Sequence, residues 1–209
     1  KMGIAFGEHA KTYLISASDE SGACDLYFVS KDQKGVELSK TEYMGLKGMP
    51  FSKINLSNCK INASQKLGGH NYSIDFKSLV DSSRIGMSAL ALGVCQAVLD
   101  YVVPYTNERV AFDEPISNRQ SVAFMIADMA IETEALRLMV YKSAALKDLN
   151  VDFHKQASLT HRFASHHGMK IGTDGVQLLG GHGFTHEHPV ELWYRNLRAV
   201  GIFEAGAGV

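Results

Sequence analysis

One carboxylate near the end of the chain has the surroundings of a catalytic base. Glu204 follows the apolar pair Ile202-Phe203 and precedes small residues only, so nothing in the local sequence would solvate it well. A carboxylate kept away from water is a stronger base, able to take a proton from a weakly acidic carbon. A lone glutamate near a chain end is nevertheless more often exposed than catalytic, so Glu204 alone decides nothing.

The histidines offer little support for a metal centre. The neighbours His166 and His167 would point about 100° apart on a helix and could not easily share an ion. His182, His186 and His188 have no cysteine nearby and match the patterns of tetrahedral zinc sites poorly. Surface or hydrogen-bonding roles are favoured for them, and no metal site is predicted.

Four arginines and a glycine cluster could contact phosphate groups. Arg84, Arg109, Arg195 and Arg198 are expected on helices or at their ends, where each would normally be a surface charge or part of an ion pair. Gly180-Gly181-His182-Gly183 does not follow a strand and lacks the spacing of a Walker or dinucleotide loop. Close approach of its backbone to another helix or to a cofactor is the better explanation.

The first 70 or so residues have the pattern of β-structure. Three short runs are rich in β-branched and aromatic residues: Thr12–Ser16, Asp25–Val29 and Lys53–Leu56. Ser21-Gly22 and Lys34-Gly35 are expected in turns between them. Ile54 and Leu56 alternate with polar neighbours such as Ser52, which predicts a sheet with one face in water.

From about residue 76 the apolar spacing changes to three and four, typical of helices. The first predicted helix, apolar enough to be buried on most sides, carries Ile85, Ala89, Leu92, Gln96 and Leu99. The second starts near Ser121 and carries Ile126, Met129, Thr133, Leu136 and Val140 on one stripe. The third has Asp152 as N-cap and carries Phe153, Ala157, Thr160, Ala164 and Ile171. The glycine cluster ends that helix and Pro189 opens a fourth.

These patterns predict an α+β fold in two domains. Residues 1–70 would be part of an antiparallel β domain, and residues 71–209 an antiparallel four-helix bundle. The opening Lys1-Met2-Gly3-Ile4 and the end at Val209 suggest a segment of a longer polypeptide, or half of a two-chain assembly.

The composition is that of a water-soluble globular protein. Hydrophobic residues make up 45% of the chain, and 21 basic against 22 acidic residues leave a net charge of −1, which disfavours a nucleic-acid binder. No transmembrane segment is predicted. Cys24, Cys59 and Cys95 are few and far apart, as in a reducing compartment such as the bacterial cytoplasm or the mitochondrial matrix.

Several motifs occur in a fixed order along the chain. They are Asp81-Ser82-Ser83-Arg84, Tyr105-Thr106-Asn107-Glu108-Arg109-Val110-Ala111-Phe112 with Pro115-Ile116 and Gln120, Ala127-Asp128-Met129, Gln177-Leu178-Leu179-Gly180-Gly181-His182-Gly183-Phe184, Arg195, and Ile202-Phe203-Glu204. In this order and spacing they resemble the second half of an acyl-CoA dehydrogenase. The resemblance covers essentially the whole chain and implies the end of a middle β domain followed by most of a C-terminal helical domain.

The resemblance implies a role for each matching residue. Glu204 stands where many members carry the base that removes the α-proton of an acyl-CoA thioester, while FAD takes the β-hydrogen as hydride. Asp81 and Arg84 match a motif near the thioester and the CoA portion. The residues matching positions that bind FAD, across a dimer interface, are Arg109, Phe112, Gln120, Gln177, Gly180 and Gly181. The resemblance also implies an electron-transfer flavoprotein as the electron acceptor, a role in fatty-acid degradation, and assembly as a homodimer or homotetramer.

Four places depart from the family pattern. Gly3-Ile4-Ala5 stands where Trp-Ile-Thr commonly contacts the flavin, and Ala205-Gly206 stands for Gly-Thr after the base. Asp113 replaces a common glycine beside an expected FAD phosphate. Ser83, where a minority of members carry their base, cannot take that role.

Three functions therefore remain open at this stage. The first is an FAD-dependent acyl-CoA dehydrogenase with Glu204 as base. The second is a flavin-poor homologue that acts as a structural or assembly subunit, favoured by Gly3, Ala5 and Ala205-Gly206. The third is one subunit of a heteromeric dehydrogenase, in which a partner supplies the flavin contacts.

Overall fold

The computed structural model of the chain describes residues 1–18, 20, 22–69 and 74–204. It consists of two compact units, Lys1–Leu79 and Val80–Val209. Strands occupy the first unit and helices dominate the second, which confirms the predicted α+β fold. The domain division expected near residue 70 stays a prediction.

The described part of the first unit contains five strands in two antiparallel sheets. The strands are β1 (Ile4–Ala5), β2 (Thr12–Ser18), β3 (Cys24–Ser30), β4 (Val36–Thr41) and β5 (Phe51–Leu56). One sheet has the order β1-β5-β4, and β2 and β3 pair as a hairpin. The three runs predicted to be strands are confirmed as parts of β2, β3 and β5.

The core of this unit is formed by alternate residues of its strands. Tyr13, Ile15, Val29 and Ile54 are buried together. The alternation predicted along β5 is wrong outside Ile54, because Leu56 at the strand's end is exposed while Ser52 is buried.

Four α-helices lie mostly or entirely in the second unit, counted over the described residues. They are α1 (Phe76–Glu108), α2 (Gln120–Asp148), α3 (His154–Leu179) and α4 (Val190–Val200). A small hairpin of β6 (Val110–Ala111) and β7 (Glu114–Pro115) lies between α1 and α2. A 3₁₀ turn, Gly180–Phe184, separates α3 from α4, as the glycine cluster predicts.

The buried stripes of α2 and α3 agree with the sequence pattern. Met129, Thr133, Leu136 and Val140 are buried on α2. On α3 the four interior positions predicted from the spacing are all buried: Ala157, Thr160, Ala164 and Ile171. A hydrogen bond of 2.8 Å between the hydroxyls of Ser143 and Thr160 joins the two helices inside the core.

The stripe predicted for α1 is only partly right. Ile85 and Leu92 are buried, but Ala89 faces solvent. The buried positions further along the helix are Ser88, Ala91, Cys95, Val98, Val102 and Thr106. Because the segment is apolar on most faces, composition could not identify which face packs.

Helix α1 is also long and apolar enough to cross a membrane, the one such helix among the described residues. That finding rests on length and composition alone, so the absence of a transmembrane segment stays a prediction. Its buried stripe lies in the same core as residues of α2 and α3, as in the central helix of a bundle.

The helix starts differ in detail from the prediction. Phe153 is the N-cap of α3, and Asp152 lies one residue earlier, where its carboxylate accepts a hydrogen bond from the His154 amide over 3.0 Å. Pro189 is the N-cap of α4, close to the first-turn position expected for it.

Candidate functional site

Glu204 lies just beyond α4 and is held by residues from the start of α1. Its side chain is half-buried. Ser83 Oγ donates a hydrogen bond of 2.7 Å to Glu204 Oε1. Arg84 Nε donates to the Glu204 backbone carbonyl over 3.3 Å. The backbone of Glu204 has a φ of 57°, a left-handed conformation that is uncommon for residues other than glycine.

Arg84 is itself fixed by a buried carboxylate. Its Nη1 lies 3.0 Å from Asp81 Oδ1 and donates to Ser158 Oγ on α3 over 3.1 Å. Asp81 is 2% exposed, and its second oxygen lies 2.7 Å from His154 Nδ1. These two partners offset the cost of removing the Asp81 carboxylate from water. The Asp81–Arg84 pair, expected to lie near the substrate, therefore forms a rigid support beside Glu204.

A buried histidine contacts the residue before Glu204. The ring nitrogen Nε2 of His161, on α3, lies 3.1 Å from the Phe203 carbonyl oxygen. Burial holds the pKa of His161 below its usual value of 6.5, because the charged imidazolium would lose its hydration.

A second feature of the same unit is an open groove of about 540 Å³. Five of the six residues expected to bind the cofactor line it: Arg109, Phe112, Gln177, Gly180 and Gly181. They come from the end of α1, the β6–β7 hairpin and the end of α3. Gln120, the sixth, does not line it, although its neighbours Arg119 and Ser121 do.

The groove combines positive charge, an exposed aromatic ring and open backbone. Phe112 is 88% exposed, and the Arg119 guanidinium lies 5.0 Å from the centre of its ring. Arg109 adds a second cation, and no atom lies within 4 Å of where a side chain on Gly180 or Gly181 would begin. Cationic side chains and accessible backbone N–H groups can bind phosphate, and the face of an aromatic ring can stack on an adenine ring. These residues therefore fit the nucleotide end of a flavin cofactor.

The glycine loop owes its shape to two of its residues. Gly180 has a φ of 57°, which ends α3. At Gly183 a side chain would collide with the Val176 carbonyl oxygen, so only glycine lets the loop fold back onto the helix.

Two histidines at and after the glycine loop, His182 and His188, lie in local networks, as does Arg195. Tyr105 and His182 are hydrogen-bonded at 2.8 Å, both lining the groove, and the rings of His182 and His188 stack with centres 5.5 Å apart. Arg195 pairs with Glu191 and holds the pKa of that carboxyl below its usual range.

The structure also locates most of the positions that depart from the family pattern. Gly3 precedes β1 and Ala5 ends it. Asp113 is exposed at the tip of the β6–β7 hairpin and is not among the residues that line the groove. Ala205-Gly206 lies outside the described residues.

Sequence reasoning missed several residues of these two sites. His161, Ser158 and Arg119 were not singled out, and Ser83 was considered only as a base. Arg119 could have been found from its place directly before Gln120. His161 and Ser158 gave no local signal, because their contacts are with residues 42 and 74 positions away.

Comparisons with known proteins show the family to which the chain belongs. The sequence model of the family described as "Acyl-CoA dehydrogenase, C-terminal domain" matches residues 75–208. An acyl-CoA dehydrogenase of Bacillus subtilis is 33% identical over 197 residues, covering 92% of this chain and 52% of the relative.

Two further similarities concern specific members. The caffeyl-CoA reductase-Etf complex subunit CarC of Acetobacterium woodii is 37% identical over 186 residues, covering 88% of this chain and 49% of that protein. The solved structure of butyryl-CoA dehydrogenase from Megasphaera elsdenii superposes with a TM-score of 0.86 at 30% identity, covering 98% of this chain and 55% of that one. The chain thus spans about half the length of the curated relatives it matches.

Proposed function

Because the chain belongs to the acyl-CoA dehydrogenase family, we propose that it carries the base and part of the cofactor site of an FAD-dependent enzyme that oxidises an acyl-CoA thioester. The family is FAD-dependent. The observation that carries the proposal is the half-buried Glu204 carboxylate, held by Ser83 beside the Asp81–Arg84 pair. A base must be held in one orientation to meet a substrate proton, and these contacts supply that orientation.

In the proposed reaction, Glu204 removes a proton from the α-carbon of the thioester. The electrons of that C–H bond form the new α,β double bond. A bound FAD would supply the acceptor for the hydride from the β-carbon, so the two hydrogens would depart as a proton and a hydride. Asp81 and Arg84 are proposed to lie on the thioester and CoA side, where Arg84 also fixes the Glu204 backbone.

The groove is proposed to hold the nucleotide end of FAD. Arg109 and the backbone of Gly180 and Gly181 would bind phosphate, and Phe112 would contact the adenine. Gln177, a lining residue, and Gln120, beside the groove, are proposed as polar contacts. Since the groove is open to solvent, the cofactor is proposed to lie between copies in a homodimer or homotetramer.

We further propose an electron-transfer flavoprotein as the electron acceptor. The name of the Acetobacterium woodii relative places that protein in a complex with Etf, which supports this partner. The same proposal includes an acyl-CoA substrate, a role in fatty-acid degradation, and a bacterial cytoplasmic or mitochondrial location.

The proposal is tested by substituting Glu204. Holoprotein reconstituted with FAD should be yellow and should be bleached anaerobically by acyl-CoA, whereas the Glu204→Gln variant should bind FAD and bleach at least about a thousandfold more slowly, because general-base catalysis contributes that much. Glu187→Gln, in the exposed turn before α4, is the matched control and should behave as the unaltered protein.

Two outcomes would contradict it. Full bleaching activity in Glu204→Gln would move the base to another residue. A protein that stays colourless after reconstitution would favour the assembly-subunit alternative, which requires no flavin.

A further inference from the structure

The two residues Phe203 and Glu204 are fixed by three side chains from two helices. Ser83 and Arg84 of α1 bind the carboxylate and backbone carbonyl of Glu204, and His161 of α3 binds the carbonyl of Phe203. Glu204 has a left-handed backbone conformation, which a residue with a side chain adopts only where its surroundings enforce it. The orientation of the carboxylate therefore depends on what holds the adjoining peptide.

The geometry at His161 defines its hydrogen bonding. The ring is 2% exposed, and Nε2 faces a carbonyl oxygen, which can only accept, so Nε2 carries the proton and donates. The other nitrogen, Nδ1, is buried and has no hydrogen-bond partner among the residues that the structure describes. A neutral ring with its single proton on Nε2 is the form that leaves no buried donor unpaired.

We propose that His161 is a positioning residue for the Glu204 carboxylate, acting as a neutral donor to the Phe203 carbonyl oxygen. This inference rests on the proposed function, in which Glu204 is the base. His161 touches neither substrate nor cofactor in this role. It fixes the peptide between Phe203 and Glu204, and through it the direction in which the carboxylate leaves the backbone.

The charges around the ring favour the neutral form. Burial and the nearby Arg84 cation lower the pKa of His161, while the Phe203 carbonyl and the Glu204 carboxylate act in the opposite direction. The largest of these effects is burial, so the ring stays an uncharged donor at neutral pH.

Two substitutions separate positioning from simple packing. In His161→Gln the amide nitrogen lies as many bonds from Cβ as the histidine Nε2, so it can still donate to the Phe203 carbonyl. In His161→Asn the amide nitrogen is one bond nearer the backbone and cannot reach. Both variants remove the ring and leave a neutral amide. Asn is one methylene smaller, so the melting temperature of each variant is measured to separate lost packing from lost positioning.

The readout is proton removal without oxidation. 3,3-Dimethylbutanoyl-CoA has no hydrogen on its β-carbon, so a base that removes its α-proton is detected as deuterium uptake from D₂O by mass spectrometry. The unaltered holoprotein and His161→Gln should take up deuterium at rates within about threefold of each other. His161→Asn should be slower by about ten- to a hundredfold, the size expected when a reacting group is displaced by about an ångström.

The outcomes distinguish this inference from the function on which it rests. Absent uptake by the unaltered protein, or uptake that survives Glu204→Gln, contradicts the proposed function. Uptake that is lost in Glu204→Gln but equal in the Gln and Asn variants of His161 overturns the positioning role alone. A melting temperature that falls only in His161→Asn, with an unchanged rate of uptake per folded molecule, overturns it as well.

Discussion

A serine hydroxyl holds one oxygen of the candidate base. Ser83 Oγ donates to Glu204 Oε1 over 2.7 Å, across 121 residues of sequence. A hydrogen bond to a charged group contributes about 1.5–3 kcal/mol, enough to favour one rotamer of a half-buried carboxylate. At the scale of single residues, Ser83 is expected to orient the candidate base without taking a proton itself.

This role predicts the effect of removing the hydroxyl. Ser83→Ala should lower kcat/KM for acyl-CoA oxidation by about tenfold or more, because the carboxylate loses the donor that orients it. Ser83→Thr keeps the hydroxyl and should stay within about threefold of the unaltered protein. Equal activities of the Ala and Thr variants, measured by flavin reduction in stopped flow, would show that the bond has no part in catalysis.

At the scale of elements, the groove depends on helix ends. The C-terminal end of α1, the β6–β7 hairpin, the start of α2 and the end of α3 all contribute residues to it. The ends of helices leave backbone N–H and C=O groups without intrahelical partners. A junction of several helix ends therefore offers hydrogen-bonding backbone groups to a ligand in addition to its side chains. The packing that brings these ends together is the packing of the bundle core.

That packing includes one close approach between α3 and α1. A Cβ at Gly175 would lie 2.6 Å from Val98 Cγ1, and Val98 is fully buried. The absence of a side chain at Gly175 thus allows the two helices to approach closely. The neighbouring glycine Gly172 has a similar place against α4, where a Cβ would lie 3.0 Å from Leu197 Cδ1.

We expect Gly175→Ala to reduce the free energy of unfolding by about 1–3 kcal/mol, the usual effect of overpacking a core. Gly93→Ala is the matched control, since Gly93 is an exposed glycine of α1 with no atom within 4 Å of its missing Cβ. Alanine favours the helix there, so this variant should be more stable by up to about 1 kcal/mol. Urea denaturation followed by circular dichroism measures both, and a stabilised Gly175→Ala would contradict the close approach.

At the scale of the whole molecule, exposed apolar side chains on α2 fit the proposed self-association. Phe124, Ile131 and Leu138 are spaced by seven residues, so they lie along one face, and they are 60%, 67% and 68% exposed. A stripe of this kind on a helix is a common contact between copies of a chain.

Global stability should depend on pH through His161. Its pKa in the folded protein lies below the usual 6.5, so the unfolded chain binds a proton more readily. The contribution of the neutral His161 to the free energy of unfolding is fully present above about pH 6.5. It is lost as the pH falls toward the pKa of His161 in the folded protein. His161→Gln removes this titration, so the unaltered protein should lose more stability than the variant between about pH 7.5 and about pH 5.5. Urea denaturation at the two pH values measures the difference, and parallel losses would contradict a lowered pKa.

The sequence by itself determined the family, the fold class and the approximate starts of the helices. Hydrophobic spacing is a local property, so the stripes of α2 and α3 could be predicted, and the motifs ending in Glu204 identified the candidate base. Where local signals were uniform, as along the apolar α1, the prediction of the buried face was partly wrong.

Only the tertiary structure decided which side chains hold that base. Ser83 and His161 lie far from Glu204 in the sequence; Ser83 was considered only as a possible base, and nothing in the surroundings of His161 indicates a contact with the peptide before Glu204. Their meeting depends on how α1 and α3 pack and on where the chain runs after α4. That arrangement follows from the fit of many buried side chains at once, which no short stretch of sequence encodes.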